Sequence, residues 1–165
     1  MKTVADLCDT AIPSPSRLQI VTPNLLKSYG SKPSFHGPIK TLRCLESNPS
    51  VRSLLSSPGL GRVLIVDGSG SLRCALLGDQ LASLAVTNNW SGIIIHGCIR
   101  DSAIIKKMPI GVKAVGTMPV KSKKDYPGEV GVNVAFGGVE FREGWWVYAD
   151  EDGVIVSETE LDMEE

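Results

Sequence analysis

Residues 61–101 read GRVLIVDGSGSLRCALLGDQLASLAVTNNWSGIIIHGCIRD, and this stretch decides the fold. RVLIVDG (62–68) is a continuous apolar run of strand length, rich in β-branched residues, as expected of a strand buried on both faces. After the turn-forming GSGS (68–71), Leu81, Leu84 and Ala85 recur at helical spacing. A helix therefore starts near Asp79 or Gln80 and stops at NNW (88–90). GIIIHG (92–97) is a second buried strand. Downstream, RDSAIIKKM (100–108) reads as a short helix and VKAVGTMPV (112–120) as a third strand. The order β-α-β-α-β predicts a largely parallel sheet with helices packed on it, an α/β fold.

Upstream, HGPIKTLRCL (36–45) reads as a strand, and NPSVRSLLSS (48–57) as a capped amphipathic helix with Pro49 in its first turn, ended by PGLG (58–61). TVADLCDTA (3–11) has helical character, and PSPS (13–16) breaks the chain after it. KSKKDYPGE (121–129) reads as a polar, mobile loop. Beyond it VGVNVAF, VEFR, WWVYAD and VIVSE are short strands divided by GG, EG and DEDG, a pattern of antiparallel hairpins. The acidic ETELDMEE (158–165) is expected to fray or to dock on a neighbour. No repeat interrupts the chain, and its 165 residues suit one domain.

Seventeen basic and eighteen acidic residues leave a net charge of −1, so no general field draws nucleic acid or an anionic membrane. Cys8, Cys44, Cys74 and Cys98 form no CxxC pair, and with His36 and His96 they make no zinc spacing. Free thiols in a reducing, cytoplasmic compartment are expected. The N-terminal MKTVADLCDTAIPSPSRL lacks the apolar core of a secretory signal, and no apolar run reaches membrane-spanning length.

Ligands of open α/β sheets collect beyond the carboxyl ends of the parallel strands. Two loops lie there, GSGS after the first strand with LGDQLA beyond it, and GCIRD after the second. Twenty residues separate Asp79 from Arg100, room for one helix and one strand, so both return to the same sheet edge. The helix start at Asp79–Leu81 offers free backbone N–H groups to a carboxylate, and Arg100 a planar fork to the same anion or a keto oxygen. Asp101 is a hard oxygen ligand for Mg²⁺ or Mn²⁺. A 2-oxo acid chelating that ion would be activated towards an enolate, the species shared by aldol cleavage and β-decarboxylation. The competing readings are structural. Arg100 and Asp101 suit a helix cap with a solvated charge, His96 a hydrogen-bonded core residue, and Trp145–Trp146 a core or a subunit interface. A Schiff-base lysine is a further alternative, but Lys113, between Val112 and Ala114, is expected to face outward.

The stretch 61–101, with LCDT, FHGPIKTLRCLESN, IGVKAVGTMPVKSKK, VNVAFGGVEFREGWWVYADEDGVIVSE and LDMEE in order around it, resembles the RraA-like family. That family comprises 4-hydroxy-4-methyl-2-oxoglutarate aldolases and regulators of ribonuclease E activity. The resemblance spans nearly the whole chain, taken as one RraA-like domain over 1–165. It implies a swivelling β/β/α fold of phosphohistidine-domain type, assembled as a ring-shaped homotrimer that in some members stacks in pairs. It also implies a metal-dependent class II aldolase releasing pyruvate from 4-hydroxy-2-oxo acids, with oxaloacetate decarboxylation as a companion activity. By that resemblance Gly78, Asp79, Gln80 and Leu81 hold the pyruvyl carboxylate through backbone N–H groups and Arg100 contacts the substrate. Asp101 then ligates Mg²⁺ or Mn²⁺, and Asp79 acts through a metal-bound water. Aldolases of the family often carry a further acid three residues after the Arg-Asp, where this chain has Ile104. The alternative from the regulator branch is a non-catalytic protein that binds an RNA-processing enzyme, its acidic tail meeting a basic partner.

Overall fold

The structure is a computed structural model and describes residues 1–11 and 18–164; the PSPS stretch lies outside them. Four parallel strands form its centre, in the order β3 (Phe35–Arg43), β4 (Val63–Asp67), β6 (Gly92–Ile99) and β7 (Gly111–Thr117). Between them run α2 (Pro49–Leu55), α3 (Asp79–Thr87) and α4 (Ser102–Ile105), as the apolar periodicity predicts. A three-residue strand, β5 (Ala75–Leu77), adds a parallel pairing on β6 that LRCALLGDQL does not announce. On the far side of β3 the sheet turns antiparallel through β11 (Trp146–Ala149), β12 (Val154–Ser157) and β1 (Leu18–Ile20). The opposite edge is β2 (Lys27–Ser28) on β7, and β8 (Glu129–Val130) pairs with β3. β9 (Val134–Phe136) and β10 (Val139–Phe141) form a separate hairpin.

Period-two alternation splits the buried strands between two cores. Leu64, Val66, Ile93 and Ile95 pack with Val51, Leu55, Leu81, Ala85 and Ile105 on the helical side. Val63, Ile65 and Ile94 pack with Val134, Phe136, Val139 and Phe141 of the hairpin on the other. Every one of these strand residues is buried, each contributing roughly 1.5–3 kcal/mol. The result is three layers, hairpin, sheet and helices: the β/β/α arrangement that the resemblance implies, built on the parallel sheet and antiparallel hairpins expected from the strand-and-helix order. At the amino end of the parallel strands Gly92 and Gly111 are cross-strand partners, and the Phe35 ring lies flat across both. A Cβ would stand 2.2 Å from Phe35 Cδ2 at Gly92 and 2.0 Å from Cδ1 at Gly111, so only glycine fits either position.

Four expectations are corrected. Asn48 precedes α2 but does not cap it with its side chain; its Nδ2 donates instead to the Leu76 carbonyl at 2.9 Å, tying the helix start to β5. The loop 121–129 is pinned rather than mobile. Lys121 and Lys123 bridge to Ala75 and Ser47, Ser122 is buried, and the Tyr126 N–H donates to Ser47 Oγ at 3.0 Å. The acidic tail docks on its own chain. Leu161 and Met163 pack with Val4, Leu7 of α1 (Val4–Ala11) and Tyr148, and the Leu161 N–H donates to Tyr148 Oη at 2.6 Å.

Lys113 is the fourth. It is 4% exposed, on the hairpin side of the sheet beside its partner Ile94, and donates to Ser28 Oγ at 3.1 Å. Burial lowers its pKa below 10.5, against the pull of Asp150 and Glu151. The unfolded chain therefore binds the proton more tightly, and stability rises as pH climbs through the depressed value towards 10.5. Lys113→Met is expected to abolish that alkaline gain, read as urea midpoints between pH 7 and 10; a Met variant with the wild-type pH slope would place the titration elsewhere.

Candidate active site

Strand pairing alone brings the two loops together. Leu77 partners Ile99 where β5 runs parallel to β6, and the Arg100 N–H donates to the Leu77 carbonyl at 2.9 Å. Gly78 and Arg100 thus leave the sheet side by side, each heading into a helix start. Around them lies a cleft of about 460 Å³, within the range of small-molecule sites. Gly78, Asp79, Gln80, Leu81, Arg100 and Asp101 all line it.

Gly78 is the N-cap of α3 and has no side chain with which to cap. Asp101 supplies the missing carboxylate from the neighbouring loop: the Asp79 N–H donates to its Oδ2 at 3.1 Å. The positive end of the α3 dipole favours that charge. Asp101 reaches this place because its backbone is left-handed, at φ 58° and ψ 36°, a conformation Asp tolerates better than most residues. Its carbonyl accepts the Ile104 and Ile105 N–H groups, but its side chain makes no cap bond to α4. The Asp101 carboxylate therefore faces the cleft and the start of the neighbouring helix α3, not its own helix.

The first intrahelical bond of α3 runs from the Ala82 N–H to the Gly78 carbonyl, so the Gln80 and Leu81 N–H groups have no intrahelical acceptor. They are the donors left for an anion. The space at Gly78 is equally specific, since a Cβ there would stand 2.8 Å from Asp101 Oδ2 and 3.6 Å from Arg100 Nε. The exposed Ile104 does not line the cleft. Among the described residues no three His, Cys, Asp or Glu side chains gather as a ready-made metal cage. What the cleft offers is two hard carboxylates, Asp79 and Asp101, the latter half engaged at the α3 start. That donor set fits a divalent ion that keeps most of its coordination as water.

The remaining walls come from residues that the motif does not mark: Asn48, Pro49, Arg52 and Ser53 at α2, Ala75 on β5, and Lys121, Ser122 and Lys124 beyond β7. The signal for the last three was KSKK, whose charge suggested solvent and not a wall. His96 belongs elsewhere. Its ring stacks on Phe136 at 4.7 Å, and its Nδ1 lies 3.4 Å from Asp67 Oδ1. Burial pushes the Asp67 carboxyl up, yet the His96 ring and the Ser69 N–H together hold it below its ordinary value. This is the core-histidine reading. Trp145 packs beside the hairpin-side core under the Arg142 guanidinium, and Trp146 stacks with Tyr148. Lys113 is not a cleft residue.

A three-layer β/β/α protein with an anion-receptive cleft at the carboxyl edge of its parallel strands is the class that fold and cleft define. The chain belongs to the RraA-like family: the Aldolase/RraA family model matches residues 4–156. A protein of Aromatoleum aromaticum provisionally named 4-hydroxy-4-methyl-2-oxoglutarate aldolase is 54% identical over 157 residues, covering 95% of this chain and 96% of that one. Among solved structures, the RNA-processing inhibitor RraA from Thermus thermophilus superposes with a TM-score of 0.92 at 37% identity, covering 99% of this chain and 96% of that one. A Geobacillus kaustophilus protein described as an S-adenosylmethionine:2-dimethylmenaquinone methyltransferase gives 0.91 at 50% identity, covering 100% and 99%. No described helix is long and apolar enough to cross a membrane.

Proposed function

We propose that the protein is a divalent-metal-dependent aldolase that cleaves 4-hydroxy-4-methyl-2-oxoglutarate and related 4-hydroxy-2-oxo acids to pyruvate and a second oxo acid. The observation that carries this reading is the Asp101 carboxylate held over the open start of α3, beside Arg100. In this reading the Gln80 and Leu81 N–H groups bind the carboxylate of the 2-oxo acid, and Gly78 leaves room for it. Arg100 donates to the same end of the substrate and balances charge that develops on its keto oxygen. Asp101 would hold a Mg²⁺ or Mn²⁺ ion, which would supply Lewis-acid chemistry at that end of the substrate. The C3–C4 bond breaks as the C4 hydroxyl loses its proton; its electrons pass into the pyruvyl half, and C3 is then protonated. Asp79 acts on this proton traffic through a water. Oxaloacetate fits the same arrangement, with carbon dioxide leaving in place of the oxo acid. We place the enzyme in the cytoplasm, as one RraA-like domain over 1–165 that assembles as a homotrimer.

The direct test is pyruvate release from 4-hydroxy-4-methyl-2-oxoglutarate and from oxaloacetate, with Mg²⁺ or Mn²⁺ and with excess chelator. Turnover is expected with either metal and none with chelator; equal turnover in both would sink the metal-dependent reading. The likeness to an RNA-processing inhibitor favours one second reading, a regulator of an RNA-processing enzyme. That reading predicts capture of such an enzyme by the protein, undiminished by Asp101→Ala.

A further inference from the structure

Buried polar side chains are almost always partnered, and one in this protein is not. Among the described residues, five polar or charged side chains are buried: Thr41, Ser47, Lys113, Ser122 and Ser157. Thr41 donates to Glu143 Oε1, and Lys113 donates to Ser28 Oγ. Ser47 Oγ accepts the Tyr126 N–H, and Ser157 Oγ accepts the Thr159 N–H. Ser122, only 7% exposed, makes no side-chain hydrogen bond to any described residue. No side-chain oxygen or nitrogen among them is both sealed from solvent and unpartnered, so the Ser122 hydroxyl opens into the cleft that the residue lines. The other hydroxyl of the cleft wall, on Ser53, already donates to the Pro49 carbonyl at 3.2 Å.

The backbone fixes where Ser122 stands. Lys121 and Lys123 form parallel bridges to Ala75 and Ser47, and the Ala75 N–H donates to the Val120 carbonyl at 2.8 Å. Ser122 therefore lies beside β5 about two residues short of Gly78, roughly 7 Å at strand rise. An anionic head is answered at the α3 start and by Arg100. A neutral hydroxyl with an uncommitted proton suits the next polar atom of a 4-hydroxy-2-oxo acid, the C4 oxygen.

We propose that Ser122 Oγ donates a hydrogen bond to the C4 oxygen of the substrate and so biases the cleft towards aldol cleavage and against decarboxylation. The inference rests on the proposed 2-oxo acid head site at Gly78–Leu81 and adds to it a residue that decides between two reactions. As the C4 hydroxyl gives its proton to water, its oxygen gains negative charge before becoming the carbonyl of the released oxo acid. A donor at that oxygen strengthens on the way to the transition state. Oxaloacetate presents a carboxylate at C4, whose charge disappears as carbon dioxide leaves. The same donor then stabilises the ground state and slows the loss. One hydrogen bond thus acts with opposite sign on the two reactions.

The test measures kcat and KM in Mg²⁺ for 4-hydroxy-4-methyl-2-oxoglutarate and for oxaloacetate, in the wild type and in Ser122→Ala. The ratio of aldol cleavage to decarboxylation is expected to fall roughly 10- to 100-fold, with the change in kcat. Ser122→Cys keeps the volume and offers only a weak donor, so it should move the ratio the same way; it decides the matter if the alanine variant does not fold. Two rates that fall together, or a ratio that stays within about twofold, overturn the hydrogen bond and leave the head site standing. A wild type that decarboxylates oxaloacetate but cleaves no aldol overturns it as well. If the wild type cleaves only the aldol, a folded variant with undiminished kcat overturns it and a tenfold loss, about what one such bond supplies, supports it. If the wild type turns over neither compound, the head site falls and the role of Ser122 with it.

Discussion

Asp101→Asn is expected to lower pyruvate release by roughly 10²–10³-fold while leaving the fold in place. The choice of Asn separates two roles that Ala would remove together. Position 101 is left-handed at φ 58°, where Asn, like Asp, is tolerated and a β-carbon without a polar end is strained. The Asn amide oxygen also remains able to accept the Asp79 N–H, now made to the carboxylate at 3.1 Å. What is lost is the negative charge, and with it the proposed hold on a hard cation. Turnover is to be measured alongside Mn²⁺ titration and thermal melting. The melting temperature should move by no more than about 4 °C, with metal affinity and turnover falling together. An Asn variant that keeps both would remove Asp101 from the metal role.

Gly78→Ala is expected to cost about 10²-fold in turnover for a different reason. The backbone there is extended, at φ −126° and ψ −171°, so alanine adopts it without strain. The obstacle lies in front of the backbone. A Cβ would stand 2.8 Å from Asp101 Oδ2, and the carboxylate must swing away or the loop must withdraw. Either movement breaks the geometry that joins the α3 start to the acid, with little effect on either core. The signature is therefore a fall in kcat at nearly constant melting temperature. Full activity in the alanine variant would mean that Asp101 works from a position other than the one over the α3 start.

Much of the fold is legible in the sequence because burial on both faces writes an unbroken signal. VLIVD and GIIIHGCI cannot be confused with solvent-facing strands, and the helical spacing of Leu81, Leu84 and Ala85 stands out against them. The juxtaposition of Asp79 with Arg100 follows from the same pattern, since a helix and a strand between them return the chain to one edge. What stays hidden depends on tertiary partners. Ala75–Leu77 is too short to show a period, and it becomes a strand only because β6 offers an edge. Lys113 breaks an apolar alternation and reads as outward-facing, yet the hairpin side covers it and Ser28 satisfies it. The lysines of KSKK have the composition of a solvated loop, and only backbone bridges to Ser47 and Ala75 make that loop a cleft wall. Nor does the sequence disclose that Asp101 turns left-handed and serves the neighbouring helix, a matter of one backbone angle.

The ring of Phe35 on its paired glycines separates strength from chemistry along each strand. Gly92 to Ile99 in β6 spans roughly 23 Å at strand rise, more than twice the range over which substitutions usually influence one another. Weakening the glycine seat and altering the Arg100–Asp101 end should therefore be additive in free energy. One end of the sheet can be stiffened or loosened as ballast while the other is rewritten for a new substrate, and neither change need wait for the other.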